Sequence, residues 1–83
     1  METIKIELPV PETIDGEEIK LLELRRPIGA DVEDIVGAQK LGEAITELAS
    51  KLVTNVVLTP DDIRAFDAKN YMKISEALMG FLA

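Results

Sequence analysis

The first third of the chain carries a pattern that favours an antiparallel β-hairpin. Apolar residues occupy every second position at Ile4, Ile6, Leu8 and Val10. This is the period of a strand with one buried face. Asp15-Gly16 then predicts a type I′ turn, whose two central residues need a positive φ, and residues 18–25 form the returning strand. Because a two-stranded hairpin is only marginally stable in water, the rest of the chain must pack against it.

The two strands do not match in simple register, which predicts a β-bulge. With a two-residue turn and regular pairing, Leu8 would lie opposite Glu23. One extra residue near Pro9 would bring Leu8 opposite Leu22, so that two apolar side chains share one face. Proline has no N–H to donate to a strand ladder and suits such a position.

Helical periodicity follows. Asp31 is the expected N-cap of a first helix. A stripe of leucine and isoleucine predicts a second helix that Asn55 closes, formed by Leu41, Ile45, Leu48 and Leu52. This stripe lies on the opposite face from the apolar residues that follow Asp31, so we expect a break between Gly37 and Gly42.

Two further helices are predicted near the C-terminus. Thr59-Pro60 followed by two aspartates is a strong start signal for a short helix, and Asp67 is the expected cap of the last one. We therefore predict an α+β fold in which an N-terminal β-hairpin is followed by three or four short α-helices. Residues 1–83 are expected to form a single domain, with the hairpin in 1–27 and the helices in 28–83.

Composition excludes most catalytic chemistry. The chain has no cysteine and no histidine, so it has no disulfide, thiolate nucleophile, histidine base or Cys/His zinc site. A net charge of −7 argues against nucleic acid and anionic membranes as partners. No apolar run reaches the ~18 residues of a membrane span, and no signal peptide is expected. We predict no enzyme activity, no metal or cofactor, and no small-molecule substrate.

The charged motifs have structural interpretations. Asp61 and Asp62 suit the positive end of a helix, because adjacent helical side chains point ~100° apart and do not converge on a cation. Glu12 lies near the hairpin turn and is expected to be solvated. Arg25-Arg26 is expected to form a salt bridge within the chain or with a partner.

The last helix carries an apolar face with two open interpretations, a buried core face or a surface for a partner helix. Met72 lies beside this face, and flexible methionine suits adaptable binding. The candidate partner-binding residues are Tyr71, Ile74, Leu78, Met79, Phe81 and Leu82.

Four segments carry a resemblance that covers nearly the whole chain. They are Ile14-Asp15-Gly16-Glu17-Glu18-Ile19, Leu22-Glu23-Leu24-Arg25-Arg26-Pro27, Leu58-Thr59-Pro60-Asp61-Asp62-Ile63, and Phe66-Asp67 with Asn70-Tyr71 and Gly80-Phe81-Leu82. In this order and spacing they resemble the small tail assembly chaperones of contractile-tailed, Mu-like phages. Asn70 departs from the family pattern, which has an aspartate before the tyrosine. Both residue types suit a helix start, so we expect little effect.

The resemblance implies a function. Such a protein, from a phage or prophage, binds the tape measure protein in the host bacterial cytoplasm and keeps it soluble until the tail tube polymerises. It is not expected in the mature virion. The alternative is a structural tail or head–tail component that self-associates as a homo-oligomer through the hairpin edge. A small regulator or antitoxin, with a toxin or DNA partner, is a third class.

Overall fold

The computed structural model describes the backbone of residues 3–36 and 41–82, and within these ranges the side chains of all but 34–36, 41 and 82. A two-stranded antiparallel hairpin is followed by four helices in these described ranges, which confirms the predicted α+β fold. The elements are β1 (Thr3–Ile14), β2 (Glu17–Arg25), α1 (Gly29–Val36), α2 (Leu41–Leu52), α3 (Pro60–Arg64) and α4 (Ala68–Leu82).

The predicted hairpin turn is confirmed. Asp15 has a φ of 51° and Gly16 a φ of 83°, which are the positive values that a type I′ turn requires at both positions. Ile14 and Glu17 pair directly across the two-residue loop. This turn sets the register of the strand pairs nearest to it.

The hairpin contains a large bulge. Towards the turn Glu12 pairs with Ile19, whereas beyond the bulge Glu7 pairs with Leu21. Between these two pairs β1 has four residues and β2 has one. The predicted position, near Pro9, is therefore right, but the predicted size of one extra residue is wrong, since β1 has three extra residues.

The larger bulge changes which apolar residues meet. Ile6, rather than Leu8, lies opposite Leu22. Leu8 is still buried in the core. Pro9 and Pro11 both lie within the bulge and have no N–H to donate, so this stretch of β1 is poorly suited to regular pairing.

Asn70 on α4 completes the bulge. The Val10 N–H donates to Asn70 Oδ1 at 3.0 Å, and Asn70 Nδ2 donates to the Val10 carbonyl oxygen at 2.6 Å. The carboxamide therefore takes the place of a strand partner for the backbone that the bulge releases. This contact argues against the expectation that asparagine and aspartate differ little here, because Asn70 is fully buried and an ionised aspartate cannot donate.

Glu12 is also part of this connection. Its Oε2 accepts hydrogen bonds from Asn70 Nδ2 at 2.6 Å and from the Asp67 N–H at 2.7 Å. The expectation that Glu12 is simply a solvated turn residue is therefore wrong. One carboxylate oxygen of β1 holds both the backbone and a side chain at the start of α4, where negative charge is favourable.

The predicted starts of α3 and α4 are confirmed. Thr59 and Asp62 form a reciprocal capping box around Pro60, in which each side chain accepts the other residue's backbone N–H. Asp67 Oδ1 accepts the Lys69 N–H at 2.9 Å, as an N-cap does. Asp61 pairs with Arg64 one turn later.

The start of α1 differs from the prediction. The helix begins at Gly29, so Asp31 is its third residue and not its N-cap. Its buried carboxylate accepts the Ile28 N–H at 2.8 Å and receives two hydrogen bonds from Arg25, at 2.7 and 2.9 Å. The predicted salt bridge of the arginine pair is thus confirmed for Arg25, and it lies within the chain.

The Arg25–Asp31 pair predicts a specific acid dependence of stability. The Arg25 hydrogen bonds, helped by the Ile28 N–H, lower the pKa of Asp31 from 3.8 to about 2. A lowered native pKa stabilises the fold above the unfolded-state pKa, and this contribution is lost as the pH falls from 3.8 towards 2. We expect Asp31→Asn to lower the free energy of unfolding by about 1 to 2 kcal/mol at pH 7, because Arg25 is partly solvated.

Urea denaturation of wild type and Asp31→Asn at pH 7 and at pH 2 measures this effect. The difference between the two proteins should shrink at the lower pH. Asp61→Asn is the control, since its pair with Arg64 is solvent-exposed and should contribute below 1 kcal/mol. An equal loss of stability at both pH values would contradict the assignment.

The segment after α2 covers the outer edge of β2. The helix ends at Leu52, so the prediction that Asn55 closes it is wrong. Asn55 instead donates to the Leu21 carbonyl at 2.9 Å and accepts the Glu23 N–H at 3.0 Å. The Thr54 N–H donates to the Glu23 carbonyl at 2.8 Å, and an isolated bridge joins Leu24 to Val53.

The helices close over one face of the hairpin. Apolar residues from both parts of the chain join in one cluster, whose fully buried large members are Leu22, Leu24, Leu48, Leu52, Ile63, Ile74 and Leu78. Helix α4 lies along β1. The predicted break between Gly37 and Gly42 falls largely on residues 37–40, which lie outside the described residues.

Candidate partner-binding site

The predicted partner-binding residues on α4 differ in accessibility. Ile74 and Leu78 are almost completely buried in the chain's own core. Tyr71 and Phe81 are half-buried and pack against the same core. For Ile74 and Leu78 the core interpretation therefore describes the free chain, and a partner reaches them only if α4 moves.

Met79 is the most accessible predicted residue whose side chain is described. It is 46% exposed, and Met72, seven residues earlier, is 59% exposed. The side chain of Leu82 lies outside those described. The sequence predicts Met72 beside the apolar stripe. The spacing of seven puts both methionines on one face of α4, and in the structure this is the solvent face, opposite the buried stripe.

The Tyr71 hydroxyl is used within the chain. It donates to the Gly42 carbonyl oxygen at 3.3 Å, near the start of α2. Gly42 lies at the N-terminal end of α2, where the N–H groups rather than the carbonyl groups lack partners within the helix. The contact therefore serves mainly to join α4 to α2. Its ring contributes to the core edge, which limits the surface that a partner could cover.

A groove runs between the exposed side of α4 and the strand β1. It consists of three adjoining depressions that share Glu76, the widest with a volume of about 600 Å³. We call it the α4–β1 groove. Its apolar lining is formed by Ile4, Ile6, Pro9, Met72, Ala77 and Phe81.

The end of the groove near Phe81 is open to close approach. A Cβ atom built on Gly80 would have no neighbouring atom within 4 Å. The backbone of α4 is therefore uncovered at this point, and an apolar side chain of a partner could rest against it. Burial of apolar surface at this point would stabilise a complex with another protein.

Among residues 3–36 and 41–82, no group of three acidic side chains is placed to hold a metal ion. In the same part of the chain, no helix combines the length and apolarity needed to cross a membrane. Asp61 and Asp62, the adjacent carboxylates noted in the sequence, are engaged by Arg64 and by the Thr59 N–H.

Comparison with known proteins identifies the family. The family described as phage tail assembly chaperone proteins, E, or 41 or 14, matches residues 5–83, nearly the whole chain. The chain belongs to this family of phage tail assembly chaperones. The predicted family is thereby confirmed. No curated protein and no solved structure shows significant similarity to the chain.

Membership of this family indicates which kind of partner to consider for the groove. A tail assembly chaperone has protein partners in tail assembly, and its family points to a non-enzymatic role. The α4–β1 groove combines apolar surface with a rigid support, since Ile74 and Leu78 anchor α4 from beneath. It is the candidate site for such a partner.

Proposed function

We propose that this tail assembly chaperone binds the tape measure protein and keeps it soluble until the tail tube polymerises. It acts in the host cytoplasm, is encoded by a phage or prophage, and is absent from the mature virion. It uses no catalysis, metal, cofactor or small-molecule substrate, and it binds neither nucleic acid nor membrane. Family membership supports this role, and the exposed apolar surface of α4 supports the mode of action.

We place the client surface on the predicted face of α4, and contact with the client is made by those of its residues that are accessible in the folded chain. Met79 and the outer side of Phe81 make direct contact with the client, together with Tyr71 and Leu82 at the two ends. Ile74 and Leu78 hold the helix in place from the core side. Covering apolar surface supplies about 25 cal/mol per Å², less the cost of ordering both partners.

The exposure of Met79 is the observation on which this proposal depends. A methionine that is 46% exposed, one residue before the groove-lining Gly80, is available for burial by a partner without any change in the fold. Replacing it by aspartate puts a charge at the contact and removes apolar area. We expect Met79→Asp to weaken client binding about tenfold or more.

Co-expression with the tape measure protein tests this expectation. Wild type should retain the client in the soluble fraction and co-purify with it, and Met79→Asp should lose most of it. Val57→Asp is the matched control, since Val57 is 85% exposed in the loop before α3 and makes the same change of charge. If Met79→Asp retains as much client as Val57→Asp, the client does not bind at this surface.

One observation favours the alternative of a self-associating structural component. Within the described residues, the sheet has only β1 and β2, and β1 pairs with no strand on its outer side. An open strand edge is a surface on which a second chain can pair. Mass spectrometry of purified virions separates the two functions, because a structural component stays in the particle and the proposed chaperone does not.

A further inference from the structure

We propose that the α4–β1 groove selects an amphipathic helix whose apolar stripe is flanked by carboxylates. This inference rests on the proposed function, since the helix would be the segment of the tape measure protein that the chaperone holds. It adds a specificity that apolar contact alone does not provide. Three features of this surface support it: the local charge of the groove, the lack of ion-pair partners for two lysine side chains, and the spacing of the exposed methionines on α4.

The charge of the groove is opposite to that of the chain. The chain carries a net charge of −7. The charged residues that line the three depressions are nevertheless four basic ones and a single acidic one among the described side chains, namely Lys5, Arg26, Lys69, Lys73 and Glu76. A surface of one sign inside a chain of the other sign favours a partner of complementary charge.

The side chains of two of these lysines form no ion pair with any described side chain. Neither Lys69 nor Lys73 takes part in the ion pairs seen between described side chains, such as those of Lys5 with Glu23 and of Lys20 with Glu18. They lie four residues apart on α4, where two like charges are slightly destabilising. Both side chains are therefore available to receive carboxylates from a partner.

The apolar part of the groove suits a helix. Met72 lines the groove beside both lysines. Met79 is not among the groove-lining residues, but it follows Met72 by two helical turns, a rise of about 10 Å, on the same face of α4. A spacing of seven residues is the repeat with which one helix meets the apolar stripe of another. An acidic partner helix can thus place apolar side chains on the methionines and carboxylates on the lysines.

The salt dependence of the complex with the tape measure protein tests the charge requirement. We expect Lys73→Glu and Lys69→Glu each to weaken binding about tenfold at low salt, with a smaller effect at high salt. Lys20→Glu is the matched control, since it makes the same change of charge on β2 and should bind within about twofold of wild type. If wild type binds and Lys73→Glu matches Lys20→Glu, the groove proposal is overturned.

A second measurement separates this proposal from the proposed function. Two synthetic amphipathic helices with the same leucine pattern, one with glutamates and one with lysines on the flanks, are titrated into the wild-type chain by calorimetry. We expect the glutamate peptide to bind at least about tenfold more tightly, against the net charge of the chain. Equal binding, or preference for the lysine peptide, overturns the proposal.

The outcomes are distinct. If the tape measure protein does not bind but the glutamate peptide does, in a manner lost in Lys73→Glu, the proposed client is wrong and the groove specificity holds. If size-exclusion chromatography with light scattering instead shows a dimer of the wild-type chain that Lys73→Glu dissociates, a second copy occupies the groove and the proposed occupant is wrong.

Discussion

Replacing Asn70 by aspartate is expected to destabilise this small chaperone by about 3 kcal/mol, which corresponds to a fall in Tm of roughly 15 °C. The aspartate could still accept the Val10 N–H. It could not donate to the Val10 carbonyl or to Glu12 Oε2, both of which Asn70 Nδ2 contacts at 2.6 Å. Two carboxylates would then face each other where the native side chain is fully buried. Urea denaturation at pH 7 measures the loss.

The control for this prediction is a second substitution at Glu12. In the Asn70→Asp, Glu12→Gln double variant the two facing groups no longer carry like charges, and the glutamine amide can donate to the introduced carboxylate. We expect the double variant to recover more than half of the lost stability. A single Asn70→Asp variant as stable as wild type would show that the carboxamide does not hold the bulge. A double variant with no recovery would show that the facing carboxylates are not the main cost.

Truncating Leu78 is expected to have a comparable effect on stability. Leu78 is completely buried in the cluster that joins α4 to the hairpin, so Leu78→Ala should cost about 2 to 5 kcal/mol in free energy of unfolding. Met79→Ala, one residue later on the exposed side, should change stability by less than about 0.5 kcal/mol. Thermal and urea denaturation of the two variants measure the difference.

The order of the two effects should reverse for client binding. At a temperature where both variants are folded, Met79→Ala should weaken the complex with the tape measure protein more than Leu78→Ala does, since only Met79 is accessible. A charged substitution at Leu78 would not test binding, because it would unfold the chain. If folded Leu78→Ala loses the client more readily than Met79→Ala, α4 must open for binding.

The features that could be predicted from the sequence are those that depend on neighbouring residues. The turn at Asp15-Gly16 follows from the backbone angles that these two residues accept. The start of α3 follows likewise, because Thr59 and Asp62 satisfy each other's N–H groups. The four-segment pattern was also sufficient to predict the family, since order and spacing extend over nearly the whole chain.

The features that could not be predicted depend on contacts between distant residues. The bulge is larger than expected because Val10 bonds to Asn70, 60 positions away. Asp31 and Asn55 have the chemistry of helix-capping residues, yet Arg25 and β2 respectively provide their partners. Side-chain identity alone does not distinguish a local hydrogen bond from one that joins two elements.

The candidate site was predicted only in part for a related reason. A stripe such as Ile74 and Leu78 has the same period whether it faces the protein's own core or another molecule. The two exposed methionines gave a weaker signal of a binding face, because charged residues lie between them in the sequence. The positive charge of the groove comes from β1, from α4 and from Arg26 after β2, and it appears only once these parts of the chain are brought side by side.

The link between Val10 and Asn70 also has a consequence for biosynthesis. A nascent chain emerges from the ribosome with its N-terminus first, so the hairpin is exposed before the helix that supplies its carboxamide partner has been made. Until then β1 lacks the contact that holds its bulge, and other strand alignments compete with the native one. This contact, between residues 60 positions apart, can therefore fix the alignment of the hairpin only after Asn70 has been made.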